Sequence, residues 1–372
     1  MTSSFPMAQS FPMAQSFAMT RNPSPVADDA RARLMDAPPV GTVFTDHIAK
    51  ATWTLDGGWG NHRVEPFSDL VLHPAALVLH YGQQVFEGLK AYRWADGSVH
   101  LFRPEANAAR LAASARRLAL PEFPAEDFLA SIVALLSVDA RWVPGAPESS
   151  LYLRPTMIGT EACLGVRPSH TVEYLLMASP VGAYFAGGIQ PVAIWVAQGY
   201  HRAGAGGTGE AKTAGNYAAS MLPQQQAQDN GCGQVLFLDA KEDRYIEELG
   251  GMNLFAVLKD GSVITPRLTG TILEGVTRDS VMTLLTDAGH AVVERDIELE
   301  ELRAMVSSGE VDEVFACGTA AVVTPVGRLV SPDFDYIVGS GGSGDVTMAL
   351  RERLTGIQYG RVADAHGWMR TI

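Results

Sequence analysis

Cysteine is scarce in this sequence. Cys163, Cys232 and Cys317 stand far apart, with no CxxC pair and no Cys/His cluster at ligand spacing. That argues against a zinc site or a thiol-redox pair, and it suits buried or inert thiols in a reducing cytoplasm. Long apolar runs are absent too, since none approaches the ~20 residues a membrane span needs. Basic residues fall short of acidic ones, 28 against 41, leaving a formal net charge of −13. A chain of that sign is a poor partner for nucleic acid or an anionic membrane. It can still bind a phosphorylated small molecule, because one basic pocket suffices.

What is present is an ordinary globular composition, 47% hydrophobic and 19% charged over 372 residues. Such a length accommodates about two domains at ~100–200 residues each. The start is unusual: "SFPMAQSFPMAQSFAM" (4–19) repeats a six-residue unit whose third copy is degraded. It has no basic region before its apolar residues, so it is a poor secretory signal, and period six is too short for a solenoid. Residues 1–33 are expected to form a disordered tail, in which Met7, Met13 and Met19 are each possible start sites.

Two blocks follow. Residues 34–179 read as a smaller α/β domain. Its helices are expected at 104–120, which opens on a proline, and at 125–139, with Phe128, Ile132 and Leu135 at helical spacing. Its strands are expected at 77–82, 99–103, 150–159 and 172–181. The Pro/Gly-punctuated stretch 180–188 reads as a linker. Residues 189–372 read as a larger domain, with strands at 191–197 and 234–240, a Gly-turn hairpin over 253–266, and helices near 217–229, 277–288, 298–308 and 345–356. The fold class is α/β (α+β) in two domains.

The stretch "GGTGEAKTAGNY" (206–217) sets Lys212 among small residues. "GAGGTG" (204–209) matches a dinucleotide fingerprint, and Asp229 follows at ~20 residues, where the ribose acid belongs. The polar segment "QGYHRA" (198–203) nevertheless separates it from any strand, which breaks the required strand–turn–helix geometry. A P-loop fails outright, because Ala211, not glycine, stands directly before Lys212. There remain an exposed loop lysine, the commonest fate of any lysine, and a nucleophile shielded from water. These twelve residues alone do not decide between them.

The rest of the chain does. "LHYGQQVFEGLKAY" (79–92), "LFRPEANAARL" (101–111), "SLYLRPTMIGTEACLGV" (150–166), "SPVGAYFAGG" (179–188), "GNYAAS" (215–220), "EELGGMNLF" (247–255), "TILEGVTRDSV" (271–281), "ACGTAAVVTPV" (316–326) and "GIQYG…HGWM" (356–369) resemble the branched-chain amino acid aminotransferases, in order, over residues 36–372. The resemblance implies the D-amino-acid-aminotransferase-like fold (fold type IV). It also implies the cofactor pyridoxal 5'-phosphate (PLP), and reversible transamination of leucine, isoleucine or valine with 2-oxoglutarate.

By that resemblance Lys212 is the Schiff-base lysine and the proton carrier. Glu248 holds the protonated ring nitrogen; Glu247, on the opposite face of the strand, is left as a solvated residue. Tyr217 reaches the phenolic oxygen. Arg110, Thr319 and the helix start at Val276 and Thr277 take the phosphate, as helix N-termini do for anions. Arg103, Arg116 and Arg117 are left structural or solvated. Phe44, Phe86, Tyr152 and Tyr184 would wall the substrate pocket. Tyr81, Arg154 and the amides of Thr319 and Ala320 would receive carboxylates. Leu164 and Val166 would come from the partner of a homodimer. No metal is implied. Some relatives have Thr where this chain has Gly251, and others carry a CxxC after the "GTA" turn that is missing here, so no thiol switch through Cys317 is expected. D-amino-acid aminotransferase and aminodeoxychorismate lyase share the apparatus but lack the long N-terminal motifs. The rival of another class is a nucleotide-binding oxidoreductase.

Overall fold

A computed structural model describes residues 16–36, 38, 41–182 and 188–372. Its frame is two nine-stranded sheets. The first runs, in spatial order, Ala18–Met19, Gly58–Pro66, His47–Thr54, Thr171–Val181, Ser150–Gly159, Leu89–Arg93, Val99–Phe102 and Met369–Thr371, with Gln84–Phe86 also paired to Ser150–Gly159. The second runs Ile246–Leu249, Gln234–Leu238, Val192–Val196, Val322–Ser331, Val311–Gly318, Asn253–Leu258, Val263–Pro266 and Val292–Arg295, with Phe334–Ile337 on Val322–Ser331. Their β-branched and aromatic residues suit a pleated, half-buried surface.

Both expected helices of the first block form, as Pro104–Arg117 and Ala125–Asp139. Pro104 starts its helix where a missing N–H costs nothing. Phe128, Ile132 and Leu135 are fully buried against the first sheet, each worth about 1.5–3 kcal/mol. A separate cluster joins the two sheets. Tyr92 and Phe102 of the first pack with Phe255 and Phe315 of the second and with Leu350, Leu354 and Ile357 of the Asp345–Gln358 helix.

Three expectations need correction. Residues 77–82 are not a strand; Leu77–Tyr81 is a short helix closed by Gly82 at φ +59. Aromatic and β-branched content suggested a strand, but the left-handed glycine turns the chain back onto Val78. Residues 16–33 are not a disordered tail. Ala18–Met19 pairs with Arg63–Val64, Asp28–Asp36 is a helix, and Phe17, Val26 and Leu34 pack on the first core. Those three anchors, set far apart in an otherwise polar segment, leave no local periodicity to read. Finally, Met369–Thr371 returns to the first sheet, pairing with Val99–Phe102, so 189–372 is not confined to the second. The expected linker begins while the strand is still running to Val181, and its residues 183–187, with Tyr184, lie outside the described residues. Among the described residues no helix is long and apolar enough to cross a membrane.

Candidate active site

The glycine-rich stretch lies between the two sheets and is tied to the first one. The Phe86 amide donates to Lys212 O at 3.0 Å, Thr213 bridges Val85, and the Thr213 hydroxyl donates to Gln84 O at 2.7 Å. The Lys212 amide donates to Ser114 Oγ at 2.9 Å. Asn216 closes the loop from inside, with its amide nitrogen on Thr208 O and Ala211 O. Gly209 runs so close to Thr271 that a Cβ would stand 2.3 Å from the Thr271 carbonyl oxygen. Lys212 is therefore on a fixed segment and is no flexible-loop lysine.

Its Nζ donates to Tyr217 Oη at 2.8 Å and lies 5.1 Å from the centre of the Phe86 ring. Phe86 and Tyr217 touch, with centroids 4.9 Å apart. Arg154 stacks over Phe86 and Tyr152 at 4.8 and 5.2 Å and donates to Tyr152 Oη at 3.1 Å. Its Nε is buried with no partner among the described residues. Tyr152 fits because residue 88 is glycine; a Cβ there would overlap the Tyr152 hydroxyl at 2.0 Å.

The Pro104–Arg117 helix supplies the positive side. Residues 103, 107, 110, 114 and 117 recur at intervals of three and four and share one face. Arg103 reaches Ser280 Oγ at 2.7 Å and Asp279, Asn107 donates to Glu87, Ser114 accepts from Lys212, and Arg117 donates to Gly206 O and Gly207 O. Arg110, in the middle, grips Glu87 through Nε and a terminal nitrogen and donates to Glu274 O at 3.0 Å. Burial alone would raise the Glu87 carboxyl, but Arg110 outweighs it and holds the group below its usual range. Next to Glu274 begins the Val276–Asp287 helix. The amides of Val276 and Thr277 and the Thr277 hydroxyl donate to no acceptor among the described residues, which leaves an anion cradle.

Glu248 is buried and faces Arg202, with N–O at 2.9 Å; the Leu273 amide donates to it at 2.8 Å. Burial pushes its carboxyl up to about 7, against the pull of Arg202, the Leu273 amide and Lys212. Glu247 is a correction. It is not solvated but buried, accepts from the Thr271 hydroxyl, and its Oε2 has no partner among the described residues. Thr319 and Ala320 sit in the turn after Val311–Gly318. Gly318 is packed on Gly251, and a Cβ on Gly251 would lie 3.8 Å from the Tyr217 ring.

The structure thus brings together Lys212, Tyr217, Phe86, Tyr152, Arg154 and Arg110, with Glu248, Val276, Thr277, Thr319 and Ala320 on the surrounding elements. It does not bring in Phe44, which stacks on Phe67 at 4.9 Å, or Tyr81, whose hydroxyl donates to Leu164 O. Leu164 and Val166 are 64% and 83% exposed. Glu87, Arg202 and Ser114 were missed. Glu87 carried a readable signal, a lone acid within the apolar run Val85–Leu89. Arg202 lay in the polar gap read only as breaking a fingerprint. The three cysteines are free, and burial pushes the Cys317 thiol up to about 12. Among the described residues no three His, Cys, Asp or Glu are grouped to hold a metal.

A half-buried lysine hydrogen-bonded to tyrosine, a buried acid across from it and an anion cradle at a helix start are the parts that a transferase site of the amino-group class needs. The family model of class IV amino-transferases matches residues 84–329. The chain is 55% identical over 355 residues to the branched-chain-amino-acid aminotransferase of Mycolicibacterium smegmatis, spanning 94% of this chain and 96% of that one. It superposes on the Escherichia coli branched-chain amino acid aminotransferase with TM-score 0.72 and 29% identity, over 87% and 98% of the two chains. The Thermobaculum terrenum branched-chain amino acid aminotransferase in its PLP form gives TM-score 0.71 at 25% identity, over 88% and 98%. The chain belongs to the class IV amino-transferases and, within them, to the branched-chain-amino-acid aminotransferases.

Proposed function

We propose that this chain moves the amino group of leucine, isoleucine or valine onto 2-oxoglutarate, reversibly, with PLP as carrier. The observation that carries the reading is the Lys212 Nζ–Tyr217 Oη contact at 2.8 Å, set against Phe86 on a loop tied to the first sheet. The donor set fits the cofactor: unfilled amides at Val276 and Thr277 for a phosphate, Arg110 beside them, and a buried carboxylate at Glu248 for a ring nitrogen. Bound there, PLP supplies the carbonyl that takes the amino group and the ring that accepts electrons from the substrate Cα.

The residues divide the remaining work. Lys212 Nζ binds the cofactor and carries the proton to and from the substrate Cα. Tyr217 Oη orients that amine. Glu248, its charge balanced by Arg202, holds a proton on the ring nitrogen. Arg110, fixed by Glu87, and the 275–277 helix start, with Thr319, hold the phosphate. Phe86 and Tyr152 give an uncharged aliphatic side chain its apolar wall. Arg154, whose Nε lacks a partner among the described residues, receives a carboxylate with the Thr319 and Ala320 amides. The exposed Leu164 and Val166 support a homodimer in which they reach the partner's site. Three free thiols suit a cytoplasmic setting.

The test is direct. The purified protein is expected to be yellow, and borohydride is expected to fix the chromophore on Lys212. Lys212→Ala is expected to abolish leucine-dependent glutamate formation. A colourless protein that binds NAD tightly would sink the reading.

A further inference from the structure

Lys90 is a buried lysine whose charge the site described above does not use. It lies on Leu89–Arg93, directly across from Tyr152 and so on the same face of the sheet. Its residue is 9% exposed and its Nζ donates to Ala320 O at 2.8 Å. Arg351, 4% exposed, holds Ala321 O of the same turn at 2.9 Å and Val323 O at the start of the following strand at 3.0 Å. Between them Val322 is held at φ +63, a conformation a β-branched residue rarely adopts.

Two buried cations thus stand behind this turn. The carboxylate near them, Glu148, pairs with Arg351 at 2.9 Å and not with Lys90. Among the described residues Lys90 has no ion pair, so one positive charge is left over. On the turn itself the amides of Thr319, Ala320 and Ala321 donate to no acceptor among the described residues. In a trans peptide the C=O and the following N–H point in opposite directions, so a cation fastened to Ala320 O fixes the Ala320–Ala321 peptide and the direction of the Ala321 amide, the neighbour of the Thr319 and Ala320 amides. Burial, with Arg351 beside it, pushes the ammonium down to about 8, as expected of a cation lacking its own anion.

We propose that Lys90 is a positioning residue for the substrate carboxylate, pinning the Ala320 carbonyl and placing a buried positive charge behind the Thr319 and Ala320 amides. The inference rests on the reading of those amides as carboxylate donors. The carboxylate of an amino acid or a 2-oxo acid neutralises the surplus charge across the turn. An uncharged analogue of the same shape does not.

The holoenzyme tests this with two variants. Lys90→Met removes charge and hydrogen bond, while Lys90→Gln keeps a donor and removes only the charge. Each is assayed for KM and kcat with leucine, and titrated with 4-methylvalerate and with 4-methylvaleramide by the absorbance of the bound chromophore. Both variants are expected to raise KM for leucine by about tenfold, the scale of one charge-assisted hydrogen bond, with kcat changed less than about threefold. Binding of the acid is expected to weaken while that of the amide stays put. If Lys90→Gln keeps the wild-type acid-to-amide ratio, the charge role is overturned. If acid and amide weaken equally, the turn has merely lost its shape and the proposal fails. A wild-type protein inactive with leucine would instead overturn the underlying reading of function.

Discussion

Glu87 and Arg110 meet at two points, Nε to Oε1 at 2.7 Å and a terminal nitrogen to Oε2 at 2.9 Å, with the carboxylate wholly out of solvent. Asn107 donates to the same carboxylate at 2.8 Å. Such a fork fixes a guanidinium in plane as well as in place. Glu87→Gln leaves a buried arginine without its counter-charge and is expected to lower stability by about 3 kcal/mol. Denaturant midpoints measure that. Cofactor affinity is expected to fall with it, since Arg110 loses its orientation; an unchanged dissociation constant for PLP would show that Arg110 does not depend on Glu87.

Tyr217→Phe keeps the ring contact with Phe86 and removes the hydroxyl 2.8 Å from Lys212 Nζ. The loss of a hydrogen bond to a charged group is expected to lower kcat by about 10–100-fold, with little change in thermal midpoint. Steady-state kinetics with leucine at saturating 2-oxoglutarate measures this. A fall in stability with normal kcat would assign the hydroxyl to packing.

Gly209→Ala puts a methyl 2.3 Å from the Thr271 carbonyl oxygen and 2.5 Å from its carbon. The backbone must shift, and with it the carbonyl of Gly209 that Arg202 holds. A loss of about 1–3 kcal/mol is expected, with activity lost more steeply because Lys212 is three residues on. Gly215→Ala is the control: it lies in the Ala214–Asp229 helix with nothing within 4 Å of a Cβ, and a gain of about 0.5 kcal/mol is expected. Equal losses in both would mean the close approach at Gly209 is unimportant.

Glu248 gives the chain without cofactor a pH dependence of definite sign. Its folded-state carboxyl is pushed up to about 7 from an ordinary 4.5, so the folded state binds more protons than the unfolded state between those values. Its contribution to stability is full below about pH 4.5 and is withdrawn as pH rises to about 7. Urea midpoints of PLP-stripped protein are expected to fall across that window, and Glu248→Gln is expected to flatten this component. A slope unchanged by that substitution would place the titration elsewhere.

Much of this was legible because it is local. The 104–117 and 125–139 helices follow from Pro104 and from apolar spacing, and the hairpin turning through Gly261 follows from its glycine at φ +82. That Lys212, Glu248 and Arg110 belong together was expected only through motif resemblance, since no spacing rule connects residues 110, 212 and 248. Where the reading went wrong, the cause was local in one case and distant in another: the left-handed turn at Gly82 closed an apparent strand into a helix, and Thr271 with burial made Glu247 a core residue. Glu87, Arg202 and Lys90 escaped because of distance. Each matters through a partner 23, 46 or 230 residues away, and a chain read end to end contains no mark of that pairing.

The return of Met369–Thr371 to the first sheet has a consequence for how the molecule could be divided. A single cut between Gly182 and Gly188 would separate the chain into halves that still share a strand pair, an aromatic cluster and the Phe86–Lys212 bond. Two such fragments, expressed apart, have the makings of a complementation pair. Each would carry part of the active site, and activity would report their reunion.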